Sequence, residues 1–585
     1  MDKNTIIAVV VIFAIIMLFQ VFYLRPRMEQ QQQQKQMETS EAEEASPGTV
    51  QEEGPDAVFE YAEESRALLV PADDAQKEVL SVETENYSVR LSTEGASVVS
   101  FKLKQYFDQN GEPIELVQFD EGDIRPFEVH YDRLGNLSGG DRTVYYVERL
   151  SGKSYRFYRD FEDKEGHRYR FSKTYTFLEN EYIFDITLRI SALDGENLYI
   201  NNDNIAYTLA WGPVLGPTSV IRNRYNITTQ GYHEGNSFKK VMRGAGGCSL
   251  RRGESRYEEI SKIIDWIGIA NRYFFVGIVP NQKSYIYAFD QRQQGKYFIG
   301  ISSPYFRGDV LEDNFRVYAG PKERKLLKKY GNDFEAVKGS RILKPIVVFF
   351  EILITAFYKF VHNYGIAIIL LTLVIKIILY PLTNKSYQSM RRMSALQPQI
   401  TEIRAKYKNN PQQMNKEIQA LYKKEKVNPM GGCLPMLFQL PIFYALYALL
   451  SGMPELRGES FLWIKDLSLP DTVGTIKTMV PLLGYKLDGQ GFTDINILPF
   501  IMTGTTLLQS KLTSGGQSAQ QGKMMTYLFP LMFFFIFWNM PSGLVLYWTI
   551  QNILTIGQQY IIDYNLKKKK LKSPPPTVAK KRRSR

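Results

Sequence analysis

The chain has 585 residues, with 72 Lys and Arg against 61 Asp and Glu and a formal net charge of +11. That length accommodates a sizeable soluble domain beside a membrane domain. Its two cysteines, Cys248 and Cys433, offer neither a disulfide framework nor a zinc spacing. The four histidines (His130, His167, His233, His362) stand singly, which argues against a histidine-based catalytic or metal centre. No cofactor is expected.

Thr5 to Leu24 is an apolar run long enough to cross a bilayer. A signal peptide looks similar, but this run passes into Leu24-Arg25-Pro26-Arg27 without a small-residue cleavage pattern, so residues 1–27 read as a retained anchor. Residues 28–57 hold five consecutive glutamines, then acidic, Ser, Pro and Gly residues. They offer too little apolar surface to fold and are expected to form a disordered linker.

Residues 58–340 carry a β signal. Tyr182, Phe184, Ile186, Leu188 and Ile190 alternate with polar or smaller neighbours. Tyr169, Phe171, Tyr175 and Phe177 form a second period-two row, and Tyr87, Val89 and Leu91 a third. Such rows fit strands with one buried face, and many of them separated by Gly and Asn turns indicate an all-β sandwich. Lys322 to Tyr330 reads as helical. The region shows neither a hydrolase triad nor a phosphate loop, so binding or spacing is its default role.

From about residue 341 the chain is apolar again. Ile346 to Tyr358, interrupted by Glu351, reads either as an interfacial helix or as a kinked lead-in. Spans follow at about Phe360–Tyr380, Cys433–Gly452, Ile495–Gln509, Tyr527–Asn539 and Gly543–Tyr560. With the anchor this makes a polytopic α-helical membrane protein of six transmembrane helices. Lys376 stands in the first of these later spans. An ionisable group at the bilayer centre costs about 2.5–3.5 kcal/mol and by default marks a site. Pro381 follows about 7.5 Å further along the axis, within reach of a snorkelling lysine. This segment alone leaves a snorkelling lysine and a polar intramembrane cavity both open.

Charge sets the expected orientation. Between Leu382 and Gly432 there are ten basic and three acidic residues, whereas between Met453 and Asp494 there are four basic and six acidic. The positive-inside rule puts the first loop and the basic tail, residues 567–585, in the cytoplasm. With six spans the N-terminus is then also inside and the β region outside. Within the first loop, Met393, Leu396, Ile400, Ile403 and Tyr407, then Met414, Ile418 and Leu421, recur at seam spacings. They predict an antiparallel helical hairpin at about 384–428.

Polar residues recur inside the spans: Thr372 one turn from Lys376, Gln439, Thr503, Thr505, Thr506, Gln509, Tyr547, Trp548, Thr549, Gln551 and Asn552. Singly, each is interhelical glue. Beside a lone lysine they argue together for a hydrated pocket. The Met/Phe-rich run Met532 to Phe537 is ordinary core or lipid-facing surface, or an adaptable apolar track. The tail residues Lys567, Lys568, Lys569, Lys570, Lys580, Lys581, Arg582 and Arg583 fit anionic lipid or ribosomal RNA equally well.

Three stretches resemble the YidC/Oxa/Alb membrane-protein insertases: Tyr380-Pro-Leu-Thr383, the block Asn428-Pro-Met-Gly-Gly-Cys-Leu-Pro435 to Gln439-Leu-Pro441, and Pro541-Ser-Gly-Leu-Val-Leu-Tyr547. The outer region, with Asn271-Arg-Tyr-Phe274 and Ala319-Gly-Pro-Lys322, is similar to the family's long form, in which this domain is periplasmic. The resemblance implies an inner-membrane protein with a five-helix insertase core over 341–566. It also implies a groove that is open to cytoplasm and lipid and closed toward the periplasm. Lys376 falls where many relatives carry arginine. Thr372 matches a threonine of the groove, and Trp548, beside Tyr547, stands where relatives have a tyrosine. The partners implied are nascent membrane-protein substrates, the Sec translocon with its accessory subunits, the ribosome and membrane lipid. Two readings from other classes stand beside this one. A small-solute transporter would show internal repeats, and none is present. A membrane-anchored carbohydrate-binding protein would place function in the β region.

Overall fold

The computed structural model describes residues 68–69, 75–108, 111–137, 142–162, 166–195, 197–216, 228–235, 237–243, 256–280, 285–292, 296–338, 343–425, 427, 434–480, 483, 485–487, 490–513 and 519–572. The expected anchor and linker, Lys580, Lys581, Arg582, Arg583 and both cysteines lie outside the described residues.

The alternating rows of the first half become the buried faces of a two-sheet packing. Phe171, Tyr175, Phe184, Ile186, Leu188 and Ile190 are all buried. Strands 168–177 and 183–192 pair antiparallel, with Phe171 opposite Ile190 and Tyr175 opposite Ile186. The large sheet runs 154–162, 168–177, 183–192, 310–321, 274–279, 266–270, 229–234, 237–243, with 68–69 and 146–149 on the outer side of 154–162. A five-stranded sheet of 256–262, 285–292, 296–308, 198–211 and 128–130 belongs to the same apolar core. Asp313 of the large sheet accepts from Tyr285 (2.9 Å) and Ser303 (3.2 Å) of the smaller one, so the buried carboxylate is satisfied across the interface. A four-stranded sheet at 79–115 adds Tyr87, Val89 and Leu91 to this core. His233 is structural: its ring lies between Asp265 and Asp333 and stacks on Trp266.

The row from Tyr169 to Phe177 has one exception. The position between Phe171 and Tyr175 on the buried face is Lys173, which is fully buried. Its ammonium donates to the carbonyls of Ala96 (2.8 Å) and Phe127.

The helix at Lys322–Tyr330 is shorter than its pattern, α1 (Arg324–Lys329), because the chain is still in strand through Pro321. α2 (Lys344–Val361) follows and turns Glu351 onto the β region, where Arg324 (2.7 Å) and Lys338 (3.3 Å) hold it. Phe349, Ile352 and Phe360 stay exposed on it.

α3 (Tyr364–Ala395) differs at both ends from the expected span. Phe360 and Val361 belong to α2. His362 takes a left-handed conformation, and the Asn363 side chain caps α3 by accepting from Ile366 N at 3.1 Å. At the other end Pro381 lies inside the helix rather than closing it. Gly365 lets the start of α3 pass Phe461 closely, since a Cβ there would stand 2.2 Å from its ring.

The helix break comes at Leu396, one residue before α4 (Gln397–Lys406), which is joined through Asn410 to α5 (Pro411–Lys424). Leu396 and Ile400 pack with Met393, Ile418 and Leu421 in the seam, whereas Ile403, Tyr407 and Met414 lie outside that cluster and are only half-buried.

α6 (Leu434–Gly452), α7 (Leu498–Thr513), α8 (Ala519–Phe537) and α9 (Ser542–Lys572) complete the bundle. Ile495, expected in a span, lies in the strand 490–496 of a small three-stranded sheet that precedes α7. α9 runs beyond Tyr560 and carries Lys567–Lys570 in helix, where the span was expected to end and a separate basic tail to begin. No proline interrupts it before Pro574, and lysine is a good helix former.

Among the described residues one helix, Tyr364–Ala395, is long and apolar enough to cross a membrane by itself. Phe438–Gly452 and Thr526–Phe537 are shorter apolar stretches. The bundle nevertheless exposes a belt of large apolar side chains, among them Leu373, Ile377, Tyr444, Phe500, Leu531 and Ile553. A surface of that extent is stable in hydrocarbon rather than water.

The motifs 271–274 and 319–322 dock the two regions. Asn271 donates to the carbonyls of Leu215 (3.1 Å) and Gly216 (2.9 Å) and accepts from Tyr273 N (2.9 Å) and Phe274 N (2.8 Å). Lys322 donates to the Asn271 carbonyl at 2.9 Å. The turn so fixed presents Arg272 to the Ser451 carbonyl at the end of α6 and Tyr273 to Ser468 O at 3.4 Å. Arg457 lies over the Tyr273 ring, 5.0 Å from its centroid. Burial, and then the Glu323 carboxylate, push the Glu455 carboxyl beside this dock above the usual carboxylate range.

Candidate functional site: a polar seam between two long helices

Lys376 sits twelve positions past the first residue of α3, about 18 Å along the axis, which is more than half of a hydrocarbon core about 30 Å thick. It is 7% exposed. Its ammonium does not reach for a helix end. It donates to Thr555 Oγ1 of α9 at 2.7 Å, its one hydrogen bond among the described residues. An ammonium has three donors, so two are without a partner among the described residues.

Below it the seam continues. Gln558 Nε2 donates to Thr383 Oγ1 at 2.9 Å, and Tyr387, Gln559, Arg391 and Asp563 line a small cavity with an ion pair between Arg391 and Asp563. On α3 the participants are 376, 383, 387 and 391, spaced by whole multiples of about two turns or one. On α9 they are 555, 558, 559 and 563, so each set makes one stripe.

Of the five groove residues expected from sequence, the structure joins two directly. Gln439 Nε2 of α6 donates to the Tyr547 hydroxyl of α9 at 2.7 Å, with Tyr547 fully buried. Tyr547 and Thr555 are eight positions apart on α9, about 12 Å along its axis, so this pair forms a second level on the side toward the β region. Thr372, also buried, donates to its own helix at Ile368 O (2.7 Å), one turn from Lys376. Trp548 goes elsewhere. Its ring packs against Phe443, Phe533 and Phe537, each with centroids 5.4 Å away, in the aromatic cluster between α6, α8 and α9. Asn552 ties α9 to α7 through Thr505 (3.2 Å) and Thr506 (2.8 Å).

Thr555, Gln558, Thr383 and the Arg391–Asp563 pair escaped the sequence reading. The signal was present: Gln551, Asn552, Thr555, Gln558 and Gln559 recur at helical spacings of three and four. A span ended at Tyr560 cut that stripe off from Asp563.

No group of three or more metal-binding side chains occurs among the described residues. What the seam offers is directional hydrogen bonding and one cation inside an apolar shell. It suits a polar or anionic guest that passes without chemistry.

Comparison with known proteins agrees along nearly the whole chain. The family model described as the YidC periplasmic domain matches residues 79–339, and that of the 60Kd inner membrane protein matches 356–570. The chain is 32% identical to the membrane protein insertase YidC of Treponema denticola, over 84% of this chain and 87% of that protein. It is 31% identical to the membrane protein insertase YidC of Syntrophus aciditrophicus, over 96% of this chain and 99% of that one. A crystal structure of an active YidC insertase is similar over 86% of this chain and 95% of its own, at 19% identity and a TM-score of 0.33.

Proposed function

Because this chain belongs to the YidC family of membrane protein insertases, we propose that its substrates cross along the seam between α3 and α9, with Lys376 as the positive contact. The chain is an inner-membrane insertase whose substrates are membrane proteins. The observation that carries the proposed route is a buried ammonium with a single hydroxyl for a partner among the described residues. A desolvated cation attracts a carboxylate far more strongly than a hydrated one. A polar recess also shortens the hydrocarbon that a short hydrophilic segment must cross. The exposed apolar flanks of α3 and α8 receive the hydrophobic segment. No covalent bond is made or broken in that passage, so the activity is not enzymatic.

In this reading six helices span the membrane, the anchor among them. Both termini and the hairpin of α4 and α5 face the cytoplasm, and the β region faces the periplasm. The basic loop between α3 and α6 supports that orientation. Arg25 and Arg27 pull locally the other way and are outweighed. The units are the anchor 1–27, the linker 28–57, the sandwich 58–340 and the core 341–566, with the basic segment starting inside α9. The Sec translocon, the ribosome and anionic lipid are the partners proposed for the cytoplasmic and lipid-facing surfaces.

The test is photo-cross-linking from positions 372, 376 and 439 to ribosome-bound nascent chains, with insertion measured in a depletion strain. Adducts from all three and slower insertion of small acidic-tailed substrates by Lys376→Ala support the route. Absence of adducts, or unchanged insertion, overturns it.

A further inference from the structure

The seam holds two cations in opposite states. Lys376 meets a neutral hydroxyl, whereas Arg391, fifteen positions along the same helix and about 22 Å further from the β region, meets the carboxylate of Asp563. The two lie on one stripe of α3, with Thr383 and Tyr387 between them. The Arg391–Asp563 pair crosses from α3 to α9 at the end remote from the β region. Beneath it is a cavity of about 20 Å³ bounded by Tyr387, Met390, Ser394, Leu512, Gln559 and Ile562, room for a single water. Arg391 is 41% exposed and Asp563 29%. An ion pair that open to solvent is worth about 0–1 kcal/mol, so it opens readily. An incoming carboxylate replaces Asp563 at little net cost, one acidic partner for another.

We propose that Arg391 is the entry contact for acidic segments of substrate proteins, and that Asp563 is the resident carboxylate they displace on the way to Lys376. The geometry gives the order of events. Exchange at the exposed pair is nearly isoenergetic and therefore reversible. Transfer to Lys376 moves the carboxylate to a cation with no acid of its own, in a drier place where attraction is stronger. Asp563 thereby keeps stray anions from settling at the mouth. A segment without acidic residues has nothing to exchange and passes Arg391 unaffected. Arg391 is thus a specificity-determining residue and Asp563 its competitor.

The inference rests on the α3–α9 route proposed above, and the experiment separates the two. A photoreactive residue at position 394 reports capture of two ribosome-bound nascent chains, one with two acidic residues in its outer segment and one with those residues made neutral. Asp563→Asn is expected to raise capture of the acidic chain about threefold and Arg391→Gln to lower it about as much, the range an exposed pair allows. The neutral chain stays at the wild-type level in both. A pair that merely straps two helices together predicts the reverse for Asp563→Asn, a loss affecting both chains alike. That result, or no change with the acidic chain, overturns the inference. Lys376→Ala is run alongside. If it depresses the acidic chain's insertion while Asp563→Asn changes nothing, only the Arg391 inference falls. If it treats both chains alike, the route itself is wrong.

Discussion

Each half of the molecule buries a lysine, and the two are held in different ways. Lys173, at the centre of the sandwich, is ringed by acceptors that the fold supplies: the Ala96 and Phe127 carbonyls, with the Tyr175 ring 5.1 Å away. Burial pushes it down to about 7, against the opposing pull of Glu128. Lys376, in the bundle, has Thr555 alone among the described residues. The sandwich treats its lysine as a structural strut, satisfied before any ligand arrives. The bundle leaves its lysine with two of three donors unmet among the described residues, a deficit that water or a passing chain would make up. A buried charge is therefore informative through what it lacks.

The sharpest way to break this comparison is to remove each amine. Lys376→Ala should lower insertion of acidic-tailed substrates by about tenfold or more, the equivalent of one charge-assisted hydrogen bond of about 1.5–3 kcal/mol. The sandwich should stay unchanged, as judged by its protease-resistant fragment, and Lys376→Arg should restore most of the activity. Lys173→Ala should do the opposite. It leaves a cavity and the Phe127 carbonyl without its donor, at a cost of about 2–5 kcal/mol, visible as a lower urea midpoint in pulse proteolysis. Insertion per folded molecule should not change.

A milder probe uses pH. Lys173 has its folded value near 7 and an unfolded value of about 10.4. Between these limits the unfolded chain binds the extra proton, so sandwich stability should rise as pH increases through that window and fall away toward pH 7. Lys322, also lowered to about 7 by burial, has the same sign. Lys173→Met should flatten part of the slope in urea titrations at pH 7 and pH 9, and an unaltered slope would remove Lys173 as its source. The smallest effect is expected at Trp548→Tyr. Its ring lies in the aromatic cluster and not on the seam, so insertion should change by less than about twofold at a stability cost of about 1 kcal/mol.

How much of this was legible beforehand follows from how local each signal is. Period-two rows gave the strands, yet the rule that skips polar residues stepped over Lys173, which shares the face of Phe171 and Tyr175. Hydropathy located α3, α6, α7, α8 and α9. It misplaced the start of α3, because the cap at Asn363 is a side-chain geometry that an apolar average does not see. Pro381 looked like a terminator although α3 continues through it to Ala395. For the site, Lys376, Thr372, Gln439 and Tyr547 were readable from residue type and resemblance. Thr555, Gln558 and Asp563 became visible only once α3 and α9 lay side by side, since their meaning depends on pairs about 170 to 180 positions apart.

α9 extends without interruption from Ser542 past Tyr547, Thr555 and Asp563 to Lys572, 31 residues in all and about 46 Å of continuous rod. A tug or twist on its basic end is delivered undiminished to the partners of Lys376, Arg391 and Gln439 alike. Any polyanion that grips the basic tip would thus hold a lever whose other arm lies in the polar seam.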